Sequence, residues 1–317
     1  MKTLLITRPI ADAVIAQARD LFDVTVLETG AMDEAAAGQA LQDYDAILPT
    51  LGDAFTANAF AAAGENPRCK MLGNFGVGYN HIDVAAAKQA GVQVSNTPDV
   101  LTDATADIAM TLLLATARRA GEGERFVRSG QWGGFSPKGQ LGTHVTGKTV
   151  GIIGMGRIGQ AIARRCHFGF GMQVVFFNRS AKSVDFPATQ MPTLNDTMSA
   201  ADFVVVATPG GAATTHLIDA AAIGAMKPSG IFVNISRGEV VDEPALIAAL
   251  QAGLIAGAGL DVYENEPHVP DDLKALEQCV LLPHLGSATF ETRQAMGQMA
   301  LDNIIAWSKG DVPPQLV

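Results

Sequence analysis

The chain has 317 residues, of which 48% are hydrophobic, and a formal net charge of −10. This length exceeds one ordinary core and suits two domains, while the hydrophobic content predicts a folded protein. The negative charge, without any long basic run, argues against nucleic acid or an anionic membrane as a partner. No apolar run approaches about 18 residues, so no membrane span is expected.

Cysteine usage and the start of the sequence indicate the compartment. Cys69, Cys166 and Cys279 form no CxxC pair and no metal-ligand spacing, which favours reduced thiols and no metal site. Arg8 and Pro9 interrupt the apolar start of the chain, so no secretory leader is expected. We therefore expect a cytoplasmic enzyme.

The first part of the chain alternates short apolar strands with helical segments. Such alternation with short connections predicts a parallel sheet that helices cover on both faces. The predicted strands are residues 3–7, 24–28, 46–49, 71–75 and 93–95, and the predicted helices are residues 11–21, 33–42, 55–62 and 83–90. This first lobe has no G-x-G-x-x-G turn of its own.

A glycine loop, NFGVGYN, follows the fourth predicted strand, and Asp83 beyond it suits a helix N-cap. Gly76 and Gly78 have no side chains, so they leave the nearby backbone N–H groups unobstructed. Successive free N–H groups can hold an anion in a concavity of the backbone. The loop is therefore a candidate carboxylate site, and a plain glycine turn is the alternative.

Residues 102–120 predict a strong helix with apolar side chains on nearly every face. A helix of this kind is buried all round. Burial between the lobes and against a second subunit is the simplest explanation, so we predict a homodimer. The following residues, 121–139, include Trp132, Phe135 and Pro137 and are expected to be less regular.

The most informative stretch is residues 149–180, TVGIIGMGRIGQAIARRCHFGFGMQVVFFNRS. It predicts a strand, a glycine turn, a helix from residue 160 to about residue 167, and a second strand at 173–177. In a dinucleotide-binding turn, Gly154 permits the sharp bend, Gly156 lets the backbone approach a pyrophosphate, and Gly159 lets the helix pack on the strand. The helix would direct its N-terminal N–H groups at the pyrophosphate. An ordinary glycine loop is the alternative.

The end of the second strand bears on the choice of cofactor. An NAD site uses Asp or Glu about 20 residues past the glycines to bind the ribose 2′-OH. This chain instead has Asn178, Arg179, Ser180 and then Lys182. A guanidinium, a hydroxyl and an ammonium can each bind a 2′-phosphate, and no carboxylate repels it. We therefore expect NADP(H) to be preferred over NAD(H); a basic surface turn is the alternative interpretation.

Strand and helix alternation resumes after Ser180. The predicted strands are residues 203–207, 231–235, 255–260 and 280–282, and the predicted helices are residues 193–199, 219–226 and 243–252. The second lobe would then have a sheet of about six strands, as in doubly wound dinucleotide domains. The long amphipathic helix 288–309 is expected to return to the first lobe, which makes that lobe discontinuous.

Three of these late strands are followed by side chains that suit catalysis, namely Arg237, Glu266 and His284. Ligands bind at the carboxyl ends of parallel strands. Arg237 would bind the carboxylate and keto oxygen of a 2-oxo acid, and His284 would donate a proton to that oxygen. Glu266 would hydrogen-bond the imidazole and favour its protonated form. Taken singly, Glu266 is also consistent with a surface turn and His284 with a core histidine.

Together the motifs resemble those of the D-isomer-specific 2-hydroxyacid dehydrogenases. The resemblance covers essentially the whole chain and rests on NFGVGYNHID, NTPDVLTDATADIAMTLLLATARR, GKTVGIIGMGRIGQAIARR, NISRGEVVDEPALIAALQAG, GAGLDVYENEP and LLPHLGSATFETR. It implies an α/β fold with two doubly wound parallel-sheet lobes. These would be a Rossmann dinucleotide-binding domain over residues 99–287 and a smaller flavodoxin-like substrate domain over residues 1–98 plus 288–317.

The resemblance also implies roles for individual residues. Arg237, Glu266 and His284 match the catalytic arginine, glutamate and histidine, while Arg237 and His284 also join Leu51, Val77 and Gly78 in the substrate-binding set. The implied cofactor-binding residues are Thr105, Gly154, Gly156, Arg157, Ile158, Gly159, Asn178, Arg179, Ser180, Thr208, Pro209, Thr214, Ile235, Ser236, Arg237, Asp261, His284 and Gly286. Among these, Asp261 matches the residue that orients the nicotinamide carboxamide.

The NRS ending and the W-x-x-F-x-P segment look most like the glyoxylate/hydroxypyruvate reductase branch, although Phe135 stands where that branch often has a second tryptophan. We therefore expect an NADPH-preferring reductase of small 2-oxo acids such as glyoxylate and hydroxypyruvate. One alternative is an NAD-dependent D-2-hydroxyacid dehydrogenase of broader, D-glycerate-type specificity. An alternative from a different class is a dinucleotide-sensing scaffold, similar to corepressors that share this fold.

Overall fold

The structure is a computed structural model that describes residues 1–28 and 30–317. The chain divides into two compact units, one formed by Met1–Leu101 with Ser287–Val317 and the other by Thr102–Gly286. The first boundary lies three residues later, and the second one residue earlier, than the division expected from the sequence.

The first unit is built on a five-stranded parallel sheet. Its strands are β1 (Thr3–Ile6), β2 (Asp23–Val26), β3 (Ala46–Leu48), β4 (Met71–Gly73) and β5 (Gln93–Ser95). Its helices are α1 (Asp12–Leu21), α2 (Glu34–Asp43), α3 (Ala57–Ala63), α4 (Val84–Gln89) and the last helix of the chain, α12 (Phe290–Lys309). The strand order β2-β1-β3-β4-β5, with every pairing parallel, confirms the predicted doubly wound lobe.

Local chemistry explains where the helices of this unit begin. The side chains of Asp33, Thr56 and Asp83 each accept a hydrogen bond from the backbone N–H three residues further on, at the starts of α2, α3 and α4. At the other end of the chain, α12 packs closely on β4. A Cβ at Gly73 would lie 2.7 Å from Cδ1 of Ile304, so only glycine permits this approach.

The second unit is built on a seven-stranded parallel sheet. Its strands are β6 (Thr149–Ile153), β7 (Gln173–Phe177), β8 (Thr189–Gln190), β9 (Phe203–Val206), β10 (Ile231–Asn234), β11 (Gly257–Leu260) and β12 (Cys279–Leu281). Its helices are α5 (Thr102–Ala117), α6 (Ala120–Arg128), α7 (Arg157–Arg164), α8 (Leu194–Ala200), α9 (Ala220–Gly224), α10 (Glu243–Gln251) and α11 (Asp271–Lys274). The order β12-β11-β10-β9-β6-β7-β8 reverses between β6 and β9, as in a Rossmann fold.

Several elements of this unit differ from the sequence prediction. The sheet has seven strands rather than six because β8, two exposed residues long, gave no hydrophobic signal. The segment expected to be irregular begins with α6, whose two glycines and absence of buried residues hid it. Helix α7 begins at Arg157 rather than at residue 160 and continues as a π-helical turn, Arg165–Gly169.

Within the single chain, helix α5 leaves one side exposed, so its expected burial against a second subunit stays a prediction. Asp103, Asp107 and Thr111 are exposed along one stripe, and the two carboxylates bind Arg165 at 3.0 and 2.9 Å. The opposite side packs on the sheet, where a Cβ at Gly259 in β11 would lie 2.9 Å from the Cβ of a leucine of α5.

Two further features concern the cysteines and the hydropathy of the helices. All three cysteines are free and buried, as their spacing predicts, and burial raises the pKa of Cys69 and Cys166 to about 12 and that of Cys279 to about 11. Within residues 1–28 and 30–317, none of the helices combines the length and the hydropathy that a bilayer span requires.

Candidate active site

The glycine turn joins β6 to α7. Gly154 has φ +98°, and a Cβ there would lie 2.8 Å from the carbonyl oxygen of Ala207, just beyond β9. A Cβ at Gly159 would overlap the carbonyl oxygen of Gly154, so glycine lets α7 approach β6. Around Gly156, by contrast, a Cβ would meet no atom of the protein within 4 Å. These surroundings match the three tasks of a dinucleotide turn: bend, ligand approach and helix packing.

The residues around this turn fit a bound dinucleotide. Arg157 and Ile158 open α7, whose first backbone N–H groups therefore lie next to the open space at Gly156. Thr208 follows β9, and its Oγ1 is buried without a hydrogen-bond partner among the described residues. A buried hydroxyl of this kind is normally satisfied by a ligand or water. Its position beside Gly154 therefore suits a cofactor contact.

The turn after β7, residues 178–182, is held by an amide network. Asn178 Oδ1 accepts a hydrogen bond from the N–H of Met155 at 3.2 Å, and its Nδ2 donates to the Ser180 carbonyl and hydroxyl at 2.9 and 3.2 Å. The side chain of Gln190, in β8, donates to the carbonyls of Asn178 and Ser180, both at 3.1 Å. Its Oε1 accepts from the N–H of Lys182 at 3.1 Å. This small exposed turn is therefore fixed in shape.

The groups that this turn presents to solvent suit an anion. Arg179 and Ser180 are exposed, and the Arg179 side chain makes no hydrogen bond or ion pair within the described part of the chain. Because the Ser180 hydroxyl accepts a hydrogen bond from Asn178, its own proton remains available for donation. The turn thus offers a guanidinium and a hydroxyl next to the glycine turn.

The loop after β9 contains two more of the expected cofactor residues. Thr214 Oγ1 donates to the carbonyl oxygen of Pro209 at 2.8 Å, which closes the loop on itself. Glu239 Oε1 accepts from the N–H of Gly211 at 2.7 Å and ties this loop to the segment that follows β10. Pro209 and Thr214 therefore lie in one compact loop at the carboxyl edge of the sheet.

A buried asparagine organises the residues that follow β10. Asn234, which is 1% exposed, accepts hydrogen bonds from Ser236 N and Oγ at 3.0 and 2.9 Å. Its Nδ2 donates to the Arg237 carbonyl at 3.1 Å, and Ile235 between them is buried. The half-buried Arg237 side chain donates from Nη1 to the Ser236 carbonyl at 2.7 Å. Burial lowers its pKa, but a guanidinium remains charged in proteins.

The ends of β10, β11 and β12 are joined through Tyr263. A Cβ at Gly238 would overlap the Tyr263 carbonyl, so the segment after Arg237 lies directly against this residue. The N–H of Tyr263 donates to Glu266 Oε1 at 3.0 Å, and its hydroxyl donates to the Leu282 carbonyl at 2.9 Å. Tyr263 thus connects the segments that carry all three predicted catalytic side chains.

Glu266 and His284 lie in direct contact. Nδ1 of His284 is 2.8 Å from Oε2 of Glu266, and the two side chains are 27% and 29% exposed. Burial pushes the pKa of Glu266 upward, but the hydrogen bond and the charge of His284 outweigh it, so this pKa lies below its usual value. With Nδ1 held by the carboxylate, Nε2 is the nitrogen left to exchange a proton with a ligand.

Asp261 shapes the turn that carries His284. Its Oδ1 and Oδ2 accept from the N–H groups of Leu285 and Gly286 at 2.6 and 2.8 Å, and its carbonyl accepts from the His284 N–H at 2.9 Å. His284 has φ +56°, a left-handed conformation that a non-glycine residue holds only when its surroundings impose it. Burial raises the pKa of Asp261. A Cβ at Gly286 would lie 3.5 Å from Thr105 Oγ1, so these expected cofactor residues are neighbours.

In the first unit, the expected substrate residues follow the adjacent strands β3 and β4. Leu51 is 40% exposed, and its carbonyl accepts from Nη1 of Arg8 at 2.9 Å. The N–H groups of Val77 and Gly78 donate no hydrogen bond to any described residue, whereas that of Gly76 is used by the Asn74 carbonyl at 3.0 Å. The backbone N–H groups of Val77 and Gly78 are therefore available to a ligand.

Sequence reasoning missed three side chains that organise the second unit: Gln190, Asn234 and Tyr263. A polar residue at the end of the buried strand IFVN, followed by the predicted catalytic arginine, was a usable signal for Asn234. Tyr263 also lies close to predicted residues. Gln190 gave no signal, because its partners lie 8 to 12 residues away and the strand that carries it has only two residues.

Comparisons with known proteins place the chain among oxidoreductases. Residues 110–286 match the model of the D-isomer specific 2-hydroxyacid dehydrogenase NAD binding domain. A glyoxylate reductase from Thermococcus onnurineus is 45% identical, over 99% of this chain and 95% of the relative.

Solved structures give the same result. An NADPH-dependent glyoxylate/hydroxypyruvate reductase from Sinorhizobium meliloti, crystallised with NADP and malonate, superposes with a TM-score of 0.89 at 37% identity, over 100% of this chain and 96% of that one. A glyoxylate reductase from Paecilomyes thermophila has a TM-score of 0.87 at 32% identity, over 100% of this chain and 98% of that one. The chain therefore belongs to the D-isomer specific 2-hydroxyacid dehydrogenase family and is an NAD(P)-dependent oxidoreductase.

Proposed function

We propose that this protein is an NADPH-preferring reductase that converts small 2-oxo acids, such as glyoxylate and hydroxypyruvate, to 2-hydroxy acids. The observation that carries the proposal is the 2.8 Å contact between His284 Nδ1 and Glu266 Oε2 at the carboxyl edge of a dinucleotide-binding sheet. The charge of Arg237 also contributes to the lowered pKa of Glu266, and this proximity of a cation to the carboxylate and imidazole supports the proposal.

Each of these three side chains has a separate task in the proposed reaction. Arg237 binds the substrate carboxylate and keto oxygen through its planar fork of donors. When bound, the reduced nicotinamide supplies a hydride to the carbonyl carbon. His284 donates the proton from Nε2 to the keto oxygen, and Glu266 accepts the Nδ1 hydrogen bond and stabilises the imidazolium before transfer. The proton lost to product must be regained from solvent before the next turnover.

Two further parts of the chain are assigned by the same proposal. In the second unit, the glycine turn, Thr105, the loop containing Pro209 and Thr214, and Asp261 hold the cofactor, and Asp261 orients the carboxamide. Each oxygen of Asp261 can accept a second hydrogen bond besides those from Leu285 and Gly286. In the first unit, the free N–H groups of Val77 and Gly78 bind a carboxylate, with Leu51 nearby in the fold.

The preference for NADPH rests on the turn at residues 178–182. Arg179 and Ser180 present a charged fork and a free hydroxyl proton, and no Asp or Glu occupies the turn. The similar Sinorhizobium meliloti reductase, which is NADPH-dependent, supports the same cofactor. Arg179→Asp should lower kcat/KM for NADPH at least about tenfold and leave that for NADH unchanged or improved, because it removes a charge-assisted hydrogen bond and adds repulsion. An unchanged ratio of the two values would refute the assignment.

The proposal includes a homodimer. The segment from α6 to residue 141 exposes several large apolar side chains: Val127 is 56% exposed, Trp132 59%, Phe135 90% and Leu141 67%. An exposed apolar set of this size in one segment is typical of an interaction surface. Light scattering coupled to size exclusion should give twice the chain mass of 33.0 kDa, and a monomer at micromolar concentration would contradict this part of the proposal.

The experiment that tests the function is an initial-rate comparison. NADPH and NADH oxidation are followed with glyoxylate and with hydroxypyruvate, each over a range of concentrations. Faster turnover with NADPH supports the proposal. Equal or faster turnover with NADH would replace it by an NAD-dependent D-2-hydroxyacid dehydrogenase, and no turnover with either acid would remove the substrate assignment.

A further inference from the structure

The carbonyl groups of the Gly76–Gly78 loop are all occupied by hydrogen bonds from asparagine side chains. Asn74 Nδ2 donates to the carbonyls of Gly76 and Gly78 at 3.0 and 3.1 Å. Asn96 Nδ2 donates to the carbonyl of Val77, between them, at 2.9 Å. The Gly76 carbonyl also accepts a hydrogen bond from the backbone N–H of Thr97 at 3.0 Å. Together these donors fix the orientation of three consecutive peptide groups, and among the described residues the Val77 and Gly78 carbonyls are held by the asparagine amides.

Two N–H groups of the same loop, unlike its carbonyls, make no hydrogen bond within the described part of the chain. Gly76 N–H is bonded to the Asn74 carbonyl at 3.0 Å, but those of Val77 and Gly78 have no acceptor within residues 1–28 and 30–317. Both residues are half-buried. A backbone N–H group that makes no hydrogen bond within the chain binds water or a ligand instead, so two successive donors of this kind suit an external acceptor with two oxygens.

We propose that Asn74 and Asn96 are positioning residues that hold the Val77 and Gly78 N–H groups ready for the carboxylate of a 2-oxo acid. The inference rests on the proposed function and deepens it by naming what fixes the carboxylate-binding loop. With the carbonyls turned toward the amides, the peptide dipoles present their positive ends outward together. Without Asn96, the Val77 carbonyl loses the hydrogen bond that keeps it turned away from the substrate carboxylate, which it would then repel.

The sheet explains why these two asparagines can act together. Strands β4 and β5 are parallel neighbours, and Gly73 pairs with Ser95 as the last register pair. Asn74 and Asn96 are the next residue of each strand, so both lie at the same edge of the sheet. The Asn74 N–H bonds to the Ser95 carbonyl at 3.0 Å, and the Asn96 N–H bonds to Gln315 O at 3.2 Å. Both side chains therefore start from fixed backbone.

The orientation of the Asn74 amide is also determined. The residue is 0% exposed, and its Oδ1 is buried without a hydrogen-bond partner among the described residues. Rotating the amide would place Oδ1 against the two carbonyl oxygens that Nδ2 now serves, which is unfavourable. The fold therefore accepts one unsatisfied buried acceptor at Asn74 in order to keep both loop carbonyls occupied.

Steady-state kinetics of Asn96 variants tests the proposal. Asn96→Leu removes the donor at similar volume and should raise KM for glyoxylate about tenfold, since one hydrogen bond is lost, while kcat changes less than about threefold. Asn96→Asp, which also adds a negative charge, should raise KM further. The NADPH dissociation constant should be unchanged in both. Asn66→Leu, an exposed asparagine of the same unit, is the matched control and should leave KM unchanged.

A second measurement does not depend on turnover. In protein labelled with ¹⁵N-valine and ¹⁵N-glycine, oxalate should shift the amide signals of Val77 and Gly78, and Asn96→Leu should weaken that titration about tenfold. Asn74→Ser, which keeps a polar group in the buried position, should weaken it in the same direction. A merely structural role would lower the melting temperature of the variants without moving the titration midpoint.

The outcomes separate this inference from the proposed function. Turnover of glyoxylate by the wild type, with KM and the oxalate midpoint both unchanged in Asn96→Leu, overturns the inference alone. An oxalate response at Val77 and Gly78 that Asn96→Leu weakens, in a wild type that turns over no 2-oxo acid, overturns the proposed function but supports this carboxylate site. No response at these two amides overturns the inference whatever the turnover.

Discussion

Replacing Glu266 by glutamine tests the proton-donor pair without changing its shape. This carboxylate accepts from the Tyr263 N–H at 3.0 Å and lies 2.8 Å from Nδ1 of His284, which donates to it when the imidazole is protonated. A glutamine has one acceptor and one donor end, so it cannot accept from the Tyr263 N–H and from a protonated Nδ1 at the same time. The substitution therefore removes the charge that stabilises the imidazolium and also leaves one hydrogen bond unmade.

The size of the effect follows from the geometry. The carboxylate and the imidazolium stabilise each other by equal amounts, because the linkage is reciprocal. A hydrogen bond to a charged group contributes about 1.5–3 kcal/mol, and the lower end applies because the two side chains are 27% and 29% exposed. A difference of about 1.4 kcal/mol corresponds to a factor of ten in rate. Since the proposed reduction uses His284 as its proton donor, Glu266→Gln should lower kcat/KM for glyoxylate by about tenfold.

The assay is kcat/KM for glyoxylate reduction, compared between the variant and the wild type from pH 5 to about pH 9. Glu266 has a lowered pKa, so it stays ionised across this range in the wild type. Across this range, Glu266→Gln should be about tenfold slower than the wild type. Glu264→Gln is the matched control, because Glu264 pairs with His216 instead and its loss should leave kcat/KM unchanged. Superposable profiles for Glu266→Gln and the wild type would refute the reasoning.

Three other substitutions test the glycine turn, the first unit and the turn at residues 178–182, which we call the cofactor turn. Gly159→Ala places a methyl group on the Gly154 carbonyl and should destabilise the protein by about 2 kcal/mol in urea unfolding and weaken NADPH binding. Asp45→Asn should cost about 1–2 kcal/mol at pH 7: the Arg68 hydrogen bond lowers the pKa of Asp45 from 3.8 to about 2, so its contribution is present above pH 4 and is lost as pH falls toward 2. Gln190→Leu removes three hydrogen bonds from the cofactor turn and should raise KM for NADPH about tenfold, with KM for NADH changed less than about twofold.

Each of these variants has a control on a chemically similar residue. Gly224→Ala adds a methyl group where no atom lies within 4 Å and should leave stability unchanged. Asp43→Asn changes an exposed carboxylate that accepts a hydrogen bond from the side chain of Gln39. An asparagine oxygen can still accept that bond, so stability should be nearly unchanged. Gln173→Leu changes an exposed residue of β7 that is remote from the cofactor turn. Equal effects in a variant and its control would contradict the specific contact invoked.

The sequence predicted most where one physical rule fixes a position. Parallel strands end at a common edge of a sheet, so Arg237, Glu266 and His284, each following a buried apolar strand, could be placed near one another before any coordinates. The glycine turn was equally accessible, because Gly154 and Gly159 are required by close backbone approaches between elements that the sequence itself indicates. The α/β class and the parallel sheets followed from strand and helix alternation.

The rest depends on contacts that no local pattern records. Strand β8 was missed because two exposed residues have no hydrophobic period, and its Gln190 acts on residues 10 and 12 positions away. Asn74 and Asn96 lie side by side only because β4 and β5 pair in a particular register. The stripe of α5 that is exposed in the single chain was also hidden from the sequence, because Asp107 pairs there with Arg165, 58 residues further along the chain.

The most direct test of the central claim is His284→Ala. The variant should bind NADPH with an unchanged dissociation constant, since the glycine turn and the cofactor turn remain intact, but its kcat for glyoxylate reduction should fall by about 10²–10⁴-fold, the usual contribution of a general acid. Turnover within about tenfold of the wild type would show that His284 is not the proton donor.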